Sequence, residues 1–161
     1  MKIIFTLIIT LLFSEPGSMR ELYSKAADKN VASVLGTGDL KEKTGSGHSK
    51  EFYLFESGND NNGSHVVFSS AKGRYDNFDY MIILNSAFEI LDIKILKYRS
   101  EYGYEIANKG WLKQFYGKPE NRFEYRKNID ALTGATYSAP SLVDDINLIL
   151  DHLRKNGKSA G

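Results

Sequence analysis

The chain has 161 residues with a formal net charge of +1, and 42% of its residues are hydrophobic and 25% are charged. These values are typical of a globular protein with a single core, and the scattered, balanced charges argue against a nucleic-acid-binding surface. The sequence contains no cysteine, which excludes disulfide bonds, thiolate metal sites and a cysteine nucleophile.

The first segment has the pattern of an export signal. Met1 and Lys2 precede an uncharged apolar run at 3–13, which is far shorter than the roughly 20 residues that span a bilayer as a helix. Small and helix-breaking residues follow at 14–18. The run would also suit a buried first strand, but its position directly after the initiator methionine and its lysine favours export. We therefore expect residues 1–17 to be a signal peptide or an N-terminal hydrophobic segment, and the protein to lie in the periplasm or on the outer face of the cytoplasmic membrane.

A helix is predicted to follow this segment. Ser18 can cap its first turn together with Glu21 three residues later, and Gly36 is a suitable end. An approximate apolar stripe runs along this helix, and it consists of Leu22, Ala26, Val31, Val34 and Leu35.

Four short apolar segments predict two β-hairpins. The first pair, 51–56 and 65–70, is joined by a loop rich in glycine and asparagine, and the polar segment 41–50 before it is predicted to be a loop. The second pair, 78–84 and 88–96, is dense in β-branched residues, which predicts strands at the centre of the sheet.

Two helices are predicted in the C-terminal half. Residues 111–117 form one or two turns that end at Gly117, and a long helix begins near Ser138. The apolar residues that repeat on one face of the long helix are Leu142, Ile146, Ile149 and Leu153. The element order predicts an α+β fold: a central, largely antiparallel sheet flanked by an N-terminal helix, a short helix and a long C-terminal helix. We expect residues 18–72 to supply the first helix and hairpin of this same domain.

The familiar catalytic and metal-binding patterns are missing from the sequence. The three histidines, His48, His65 and His152, lack the spacing of metal ligands, and neither a G-x-S-x-G elbow nor a phosphate-loop motif is present. Asp144 and Asp145 are adjacent and would point about 100° apart on a helix, so they do not form a shared carboxylate site. No catalytic residue is therefore predicted.

The stretch DALTGATYS, residues 130–138, places hydroxyl-bearing residues and a glycine at the start of the long helix. Gly134 allows a positive φ or the close approach of a ligand, Ala135 keeps the turn narrow, and Ser138 is a good N-cap. The first N–H groups of a helix form a ready anion site, which predicts a phosphate beside the Thr136 hydroxyl. An ordinary helix cap explains the same spacing, and the residues by themselves leave both interpretations open.

The motif D-x-x-T-G-A-T at 130–136, followed by Ser138 and a helix, resembles the D-x-x-[ST]-G-A-T motif of FMN-binding domains. Such domains occur in the flavin-bearing subunits of the sodium-pumping quinone reductase and the Rnf complex, and in many small exported bacterial proteins. The resemblance implies that a flavin transferase, using FAD, esterifies the phosphate of FMN to Thr136. It also implies a recognition sequence and phosphate nest formed by Asp130, Thr133, Gly134 and Ala135.

A second segment extends the resemblance. Residues 102–118, YGYEIANKGWLKQFYGK, are similar to the family's glycine-containing loop that leads into a W/F-x-x-Q-F-x-G turn of helix. Where many members carry an E-T-P-G-like loop, this chain has Ser-Glu-Tyr-Gly at 100–103. The resemblance implies an FMN-binding domain at 73–154, followed by a tail at 155–161. The candidates for contact with the flavin ring are Tyr102, Tyr104, Trp111 and Tyr137.

The implied function is that of an exported electron carrier rather than a stand-alone enzyme. FMN would relay electrons between redox protein partners, alone or within a membrane complex, and a covalent bond would retain the flavin where no free pool of it exists. Two alternatives stay open at this point. One is an exported, noncatalytic binding or interaction domain of the same fold without flavin, and the other is a domain that binds FMN noncovalently.

Overall fold

The computed structural model describes residues 17–42, 50–58, 60–118 and 122–157. Most of the predicted export signal, at 1–16, and the end of the predicted tail, at 158–161, lie outside this part of the chain. Among the described residues, no helix combines the length and the apolar character needed to cross a membrane.

The described chain forms a five-stranded antiparallel sheet with helices, which confirms the predicted α+β class. The strands are β1 (Asp39–Glu42), β2 (Lys50–Glu56), β3 (His65–Lys72), β4 (Asn77–Leu84) and β5 (Ile90–Lys97). The α-helices are α1 (Met19–Leu22), α2 (Ser24–Leu35), α3 (Lys109–Leu112) and α4 (Ser138–Gly157), and short 3₁₀ turns occupy Tyr104–Ala107 and Lys113–Phe115. The strand order β1-β2-β3-β4-β5 means that each strand pairs with its neighbour in sequence.

Both predicted hairpins are present, but two details of the predicted sheet are wrong. β5 is an edge strand and β3 is the central one, because the chain adds a further strand, β1, beside β2. β1 also overlaps the start of the segment predicted to be a loop at 41–50, of which 43–49 lies outside the described residues. The strand gives a weak signal in the sequence, because it lies at an edge and only its Leu40 is partly buried.

The predicted N-terminal helix is divided into α1 and α2 at Tyr23. Ser18 caps α1 as predicted, since its hydroxyl accepts the Glu21 N–H at 3.1 Å. Leu22, part of the predicted stripe, is 66% exposed, because the break at Tyr23 resets the helical phase between the two helices. The residues that α2 buries are Ala27, Val31 and Leu35.

Helices cover both faces of the sheet. On one face, α4 buries all four residues of its predicted apolar stripe, and on the other face α2 packs against the sheet. β4 is consequently buried on both sides, with Tyr80 and Ile82 facing the α4 side and Met81 and Ile83 facing the α2 side. This double burial explains why the sequence of β4 is almost continuously apolar.

A polar cluster under α4 joins the helix to the sheet. The Asp145 carboxylate accepts hydrogen bonds from Ser69 Oγ at 2.6 Å and Tyr80 Oη at 2.7 Å, and it forms an ion pair with Lys50. Burial, reinforced by the Asp145 charge, raises the pKa of Tyr80 well above its ordinary value, so this hydroxyl remains a donor. Because these partners belong to β2, β3 and β4, one side chain of α4 contacts three strands.

A buried acid, Asp79, holds the N-terminal helices to β4. Asp79 is 5% exposed and accepts hydrogen bonds from the Tyr23 hydroxyl and the Arg99 guanidinium, both at 2.5 Å. Burial opposes ionisation of this carboxyl, but the hydrogen bonds from Arg99 and Tyr23 outweigh burial and hold the pKa of Asp79 below its ordinary value. The resulting stabilisation is present above the ordinary pKa of 3.8 and is lost as the pH falls through the folded-state pKa.

We predict that Asp145→Ala lowers the free energy of unfolding by about 3 kcal/mol, because it leaves a lysine and two hydroxyls without their shared acceptor. Asp144→Ala, at the exposed neighbouring position, is the control and should change the same quantity by about 0.5 kcal/mol or less. Urea denaturation followed by circular dichroism measures both variants. Equal effects of the two substitutions would contradict the role given to Asp145.

We predict that Asp79→Asn is less stable than the wild type near neutral pH and loses less additional stability on acidification, because an amide takes up no proton. The free energy of unfolding in urea, measured from about pH 6 to about pH 2, tests this. The difference between the two proteins should narrow below pH 3.8. A difference that stays constant over the whole range would show that Asp79 is not the titrating group.

Candidate functional site

The candidate site lies where the loop 130–137 enters α4. The predicted N-cap role of Ser138 is wrong, because Ser138 is the first residue of α4, is 1% exposed, and directs its hydroxyl to the Tyr98 hydroxyl at 2.7 Å. Helix-like hydrogen bonding begins earlier than predicted, since the Ala139 N–H already donates to the Ala135 carbonyl at 2.9 Å. The cap position consequently falls on the exposed Tyr137.

Three backbone amides beside the predicted anion site have no recorded acceptor among the described residues. Within the described residues, the structure records no acceptor for the N–H groups of Thr136, Tyr137 and Ser138. Unsatisfied N–H groups at the start of a helix, together with the positive end of the helix dipole, favour an anion. The local backbone therefore has the donors that a phosphate needs.

Tyr98, just after β5, holds the loop 100–103 against the start of α4. Its hydroxyl donates to the Tyr102 carbonyl at 2.8 Å, so the Ser138 hydroxyl must be the donor in the contact between Ser138 and Tyr98. Gly103 has a φ of +97°, and a Cβ at this position would overlap the Tyr98 hydroxyl. Sequence reasoning did not single out Tyr98, because one of ten tyrosines just past a strand carries no spacing signal.

The two segments on which the family resemblance rests meet at the backbone of Asp130. The Trp111 indole N–H donates to the Asp130 carbonyl at 2.8 Å, and the Asp130 N–H donates to the Gln114 side-chain oxygen at 2.9 Å. Trp111 is 6% exposed and packs edge-on against Phe115, so it is a core residue and not a candidate for flavin contact. The Asp130 side chain itself is exposed.

Gly134 adopts the predicted positive φ, at +88°. A Cβ at Gly134 would overlap the carboxylate of Glu105, an exposed residue in the 3₁₀ turn after Gly103. Ala135 is 1% exposed and belongs to the core under α4. The motif thus contains a residue that anchors the loop in the core, Ala135, and residues that face solvent, which include Thr133 and Thr136.

A pocket of about 130 Å³ brings together most of the predicted site residues. Its lining includes Tyr102, Gly134, Ala135, Thr136 and Ser138. Two other predicted residues, Asp130 and Thr133, belong to the same loop but do not line the pocket. Binding sites for small molecules usually measure about 300–1,000 Å³, so this pocket suits a single group such as a phosphate rather than a whole cofactor.

Arg74 is a further lining residue of this pocket that the sequence did not indicate. Its guanidinium carbon lies 5.4 Å from the ring centroid of Tyr137 and 5.1 Å from that of Tyr75, which places a positive charge against two aromatic faces. Arg74 lies in the turn between β3 and β4, where an isolated arginine gives no pattern. Only the fold brings it beside Thr136.

The aromatic candidates separate into two groups. Trp111 is buried, whereas Tyr102, Tyr104 and Tyr137 are 65%, 66% and 59% exposed. Tyr104 lies edge-on to Tyr98, with 6.3 Å between the ring centroids. Exposed tyrosines on both sides of the pocket are therefore available for contact with a planar ligand.

Comparison of the chain with models of known protein families gives no match, and comparison with curated proteins gives no match either. The resemblance to FMN-binding domains thus depends on the motif residues quoted above.

We predict that Gly103→Ala lowers the free energy of unfolding by about 3 kcal/mol, because it combines an unfavourable positive φ with an overlap against Tyr98. Gly117→Ala is the matched control. Gly117 also has a positive φ, +62°, but a Cβ there would meet no described atom within 4 Å, so we expect a loss of only about 1 kcal/mol. Urea denaturation of both variants distinguishes the overlap from the backbone strain, and equal losses would contradict the packing described for Tyr98.

Proposed function

We propose that the chain is an exported FMN-carrying protein in which the phosphate of FMN is esterified to Thr136, and that it passes electrons between redox protein partners. The observation that supports this most strongly is the position of Thr136. The residue is exposed and lines a pocket together with Arg74, and within the described residues no acceptor is recorded for its own N–H group or for those of Tyr137 and Ser138. The same threonine is the last residue of the D-x-x-T-G-A-T motif.

The residues around the pocket suit a phosphate diester. Gly134 and Ala135 add little side-chain bulk, the amides of residues 136–138 can donate hydrogen bonds, and Arg74 adds a positive charge. The Glu105 carboxylate, next to Gly134, opposes an anion at short range. Because Glu105 is exposed and its carboxylate is the end of a flexible side chain, it can turn away into solvent.

Attachment requires a flavin transferase as a partner. In the proposed step, the Thr136 oxygen forms a bond to the riboflavin-side phosphorus of FAD and the pyrophosphate bond to that phosphorus breaks. AMP leaves with the bridging oxygen, and the proton of the threonine hydroxyl is released to it. The transferase must reach the hydroxyl, so the exposure of Thr136 favours this step, and the exposed side chains of Asp130 and Thr133 lie on the same loop for recognition.

The attached FMN would supply one- and two-electron transfer, while the chain holds the phosphate and determines which part of the flavin faces partners. Export, proposed from residues 1–17, would place the protein where free FMN is scarce. A covalent bond replaces a finite dissociation constant with permanent occupancy. The protein would then act as a carrier in the periplasm or at the outer face of the cytoplasmic membrane.

We predict that coexpression with a flavin transferase increases the intact mass of the chain by one FMN less one water. The product should also give a yellow, fluorescent band that survives denaturing electrophoresis. Thr136→Val has almost the same shape without the hydroxyl and should abolish the mass gain, whereas Thr136→Ser keeps a hydroxyl and should retain it at least in part. Because residue 136 is exposed, both variants should keep the stability of the wild type within about 0.5 kcal/mol.

The two alternatives give different results in the same experiment. If FMN copurifies with the chain and is released by denaturation, the chain binds FMN noncovalently. If the wild type carries neither covalent nor noncovalent flavin, the proposal is contradicted and a binding or interaction domain of this fold is favoured.

A further inference from the structure

A larger cleft adjoins the pocket at Thr136. It has a volume of about 680 Å³ and lies between the β3–β4 turn and the solvent side of α4. Arg74 and Tyr137 line both cavities, so the two are neighbours that share these side chains. The cleft falls within the range of about 300–1,000 Å³ that small-molecule sites usually occupy, and the smaller pocket does not.

We infer that this cleft receives the ring system of the flavin whose phosphate is held at Thr136, an inference that rests on the function proposed above. Tyr137 follows Thr136 directly in sequence and lines the cleft. A group anchored on Thr136 is therefore one residue away from the wall of the cleft. The small pocket takes the phosphate, and the cleft takes the ring.

The wall of the cleft along α4 is partly apolar and partly polar. Pro140 and Leu148 of the helix, with Tyr137 just before it, offer apolar or aromatic surface, and Ser141, Asp144 and Asp145 are polar. Leu148 is 60% exposed and Tyr137 is 59% exposed, although the opposite face of the same helix carries the core. A single exposed leucine is ordinary, but here it shares a cleft with an exposed tyrosine and a proline. A flavin ring in the cleft would cover this apolar surface.

Arg74 and Asp144 give the same cleft a polar edge. The isoalloxazine ring of a flavin has an apolar benzenoid end and a pyrimidine end with carbonyl oxygens and an N–H group. The Arg74 guanidinium, which stacks on Tyr137, can donate hydrogen bonds to carbonyl oxygens, and the Asp144 carboxylate can accept one from an N–H. The cleft thus matches both ends of the ring in chemistry.

Two of the tyrosines that were candidates for contact with the ring, Tyr102 and Tyr104, lie in or beside the loop 100–103 and suggest another place for the ring. Tyr102 lines the small pocket but not the cleft, and Tyr104 lines neither cavity. That loop borders only the 130 Å³ pocket, and it also lacks the E-T-P-G-like sequence of many family members. Volume and lining both favour the cleft along α4.

The test compares flavin-loaded variants at the two candidate places for the ring with a control outside both cavities. Leu148→Ala and Tyr137→Ala each remove part of the cleft wall, Tyr102→Ala removes an exposed residue of the loop 100–103, and Leu22→Ala is the control. Each protein is coexpressed with the transferase, its flavin content is measured by intact mass, and quenching of flavin fluorescence by iodide reports the exposure of the ring. All four substitutions are neutral, so they do not change the local concentration of iodide.

We expect Leu148→Ala and Tyr137→Ala to increase the iodide quenching constant severalfold and to shift the visible absorption of the flavin. We expect Leu22→Ala to leave both unchanged and Tyr102→Ala to change them less than Leu148→Ala does. Leu148 is remote from the attachment residue in sequence, so its effect does not depend on altered recognition by the transferase. An unchanged quenching constant in Leu148→Ala, or a larger effect of Tyr102→Ala, would overturn the assignment of the ring to the cleft while leaving the attachment intact. A wild type without the FMN mass gain would overturn the attachment and the cleft assignment together.

Discussion

The arrangement of α4 on the sheet depends on the Asp145 carboxylate. Apolar contact alone is non-directional and specifies the position of a helix on a sheet face only weakly. A partly buried charge that accepts from a lysine, a serine and a tyrosine on three successive strands allows far fewer positions. The pocket and the cleft both border the first half of α4, and Asp145 itself lines the cleft, so the position of this helix on the sheet affects both cavities.

Directed hydrogen bonds also fix the segment that leads into α4. Trp111 holds the Asp130 carbonyl at the beginning of the loop, and Tyr98 holds Ser138 at its end. Ala135 and Ser138 are buried on either side of Thr136, so the exposed threonine extends from a backbone that is anchored before and after it. A site of this kind can present a side chain to another protein while its own backbone keeps one conformation.

The periodic parts of the fold could be predicted from the sequence, and the parts decided by distant contacts could not. The apolar stripe of α4 and the apolar strands follow from the periodic pattern of hydrophobic residues in the sequence. The break at Tyr23 is different, because the tyrosine hydroxyl binds Asp79, which is remote in sequence. Serine is a residue type typical of an N-cap, but Ser138 is buried and forms its hydrogen bond with Tyr98. Arg74 joins the candidate site only because the turn between β3 and β4 lies next to the start of α4. In each case the partner is set by the fold and leaves no local pattern.

Glu105 has a consequence for any anion that approaches the start of α4. Its carboxylate lies against Gly134 and belongs to the same chain, so dilution does not remove it. A phosphate that binds reversibly from solution would meet this negative charge at every binding event, and the side chain would have to turn into solvent each time. A phosphate joined to Thr136 by a bond would meet that cost only once, when the bond forms.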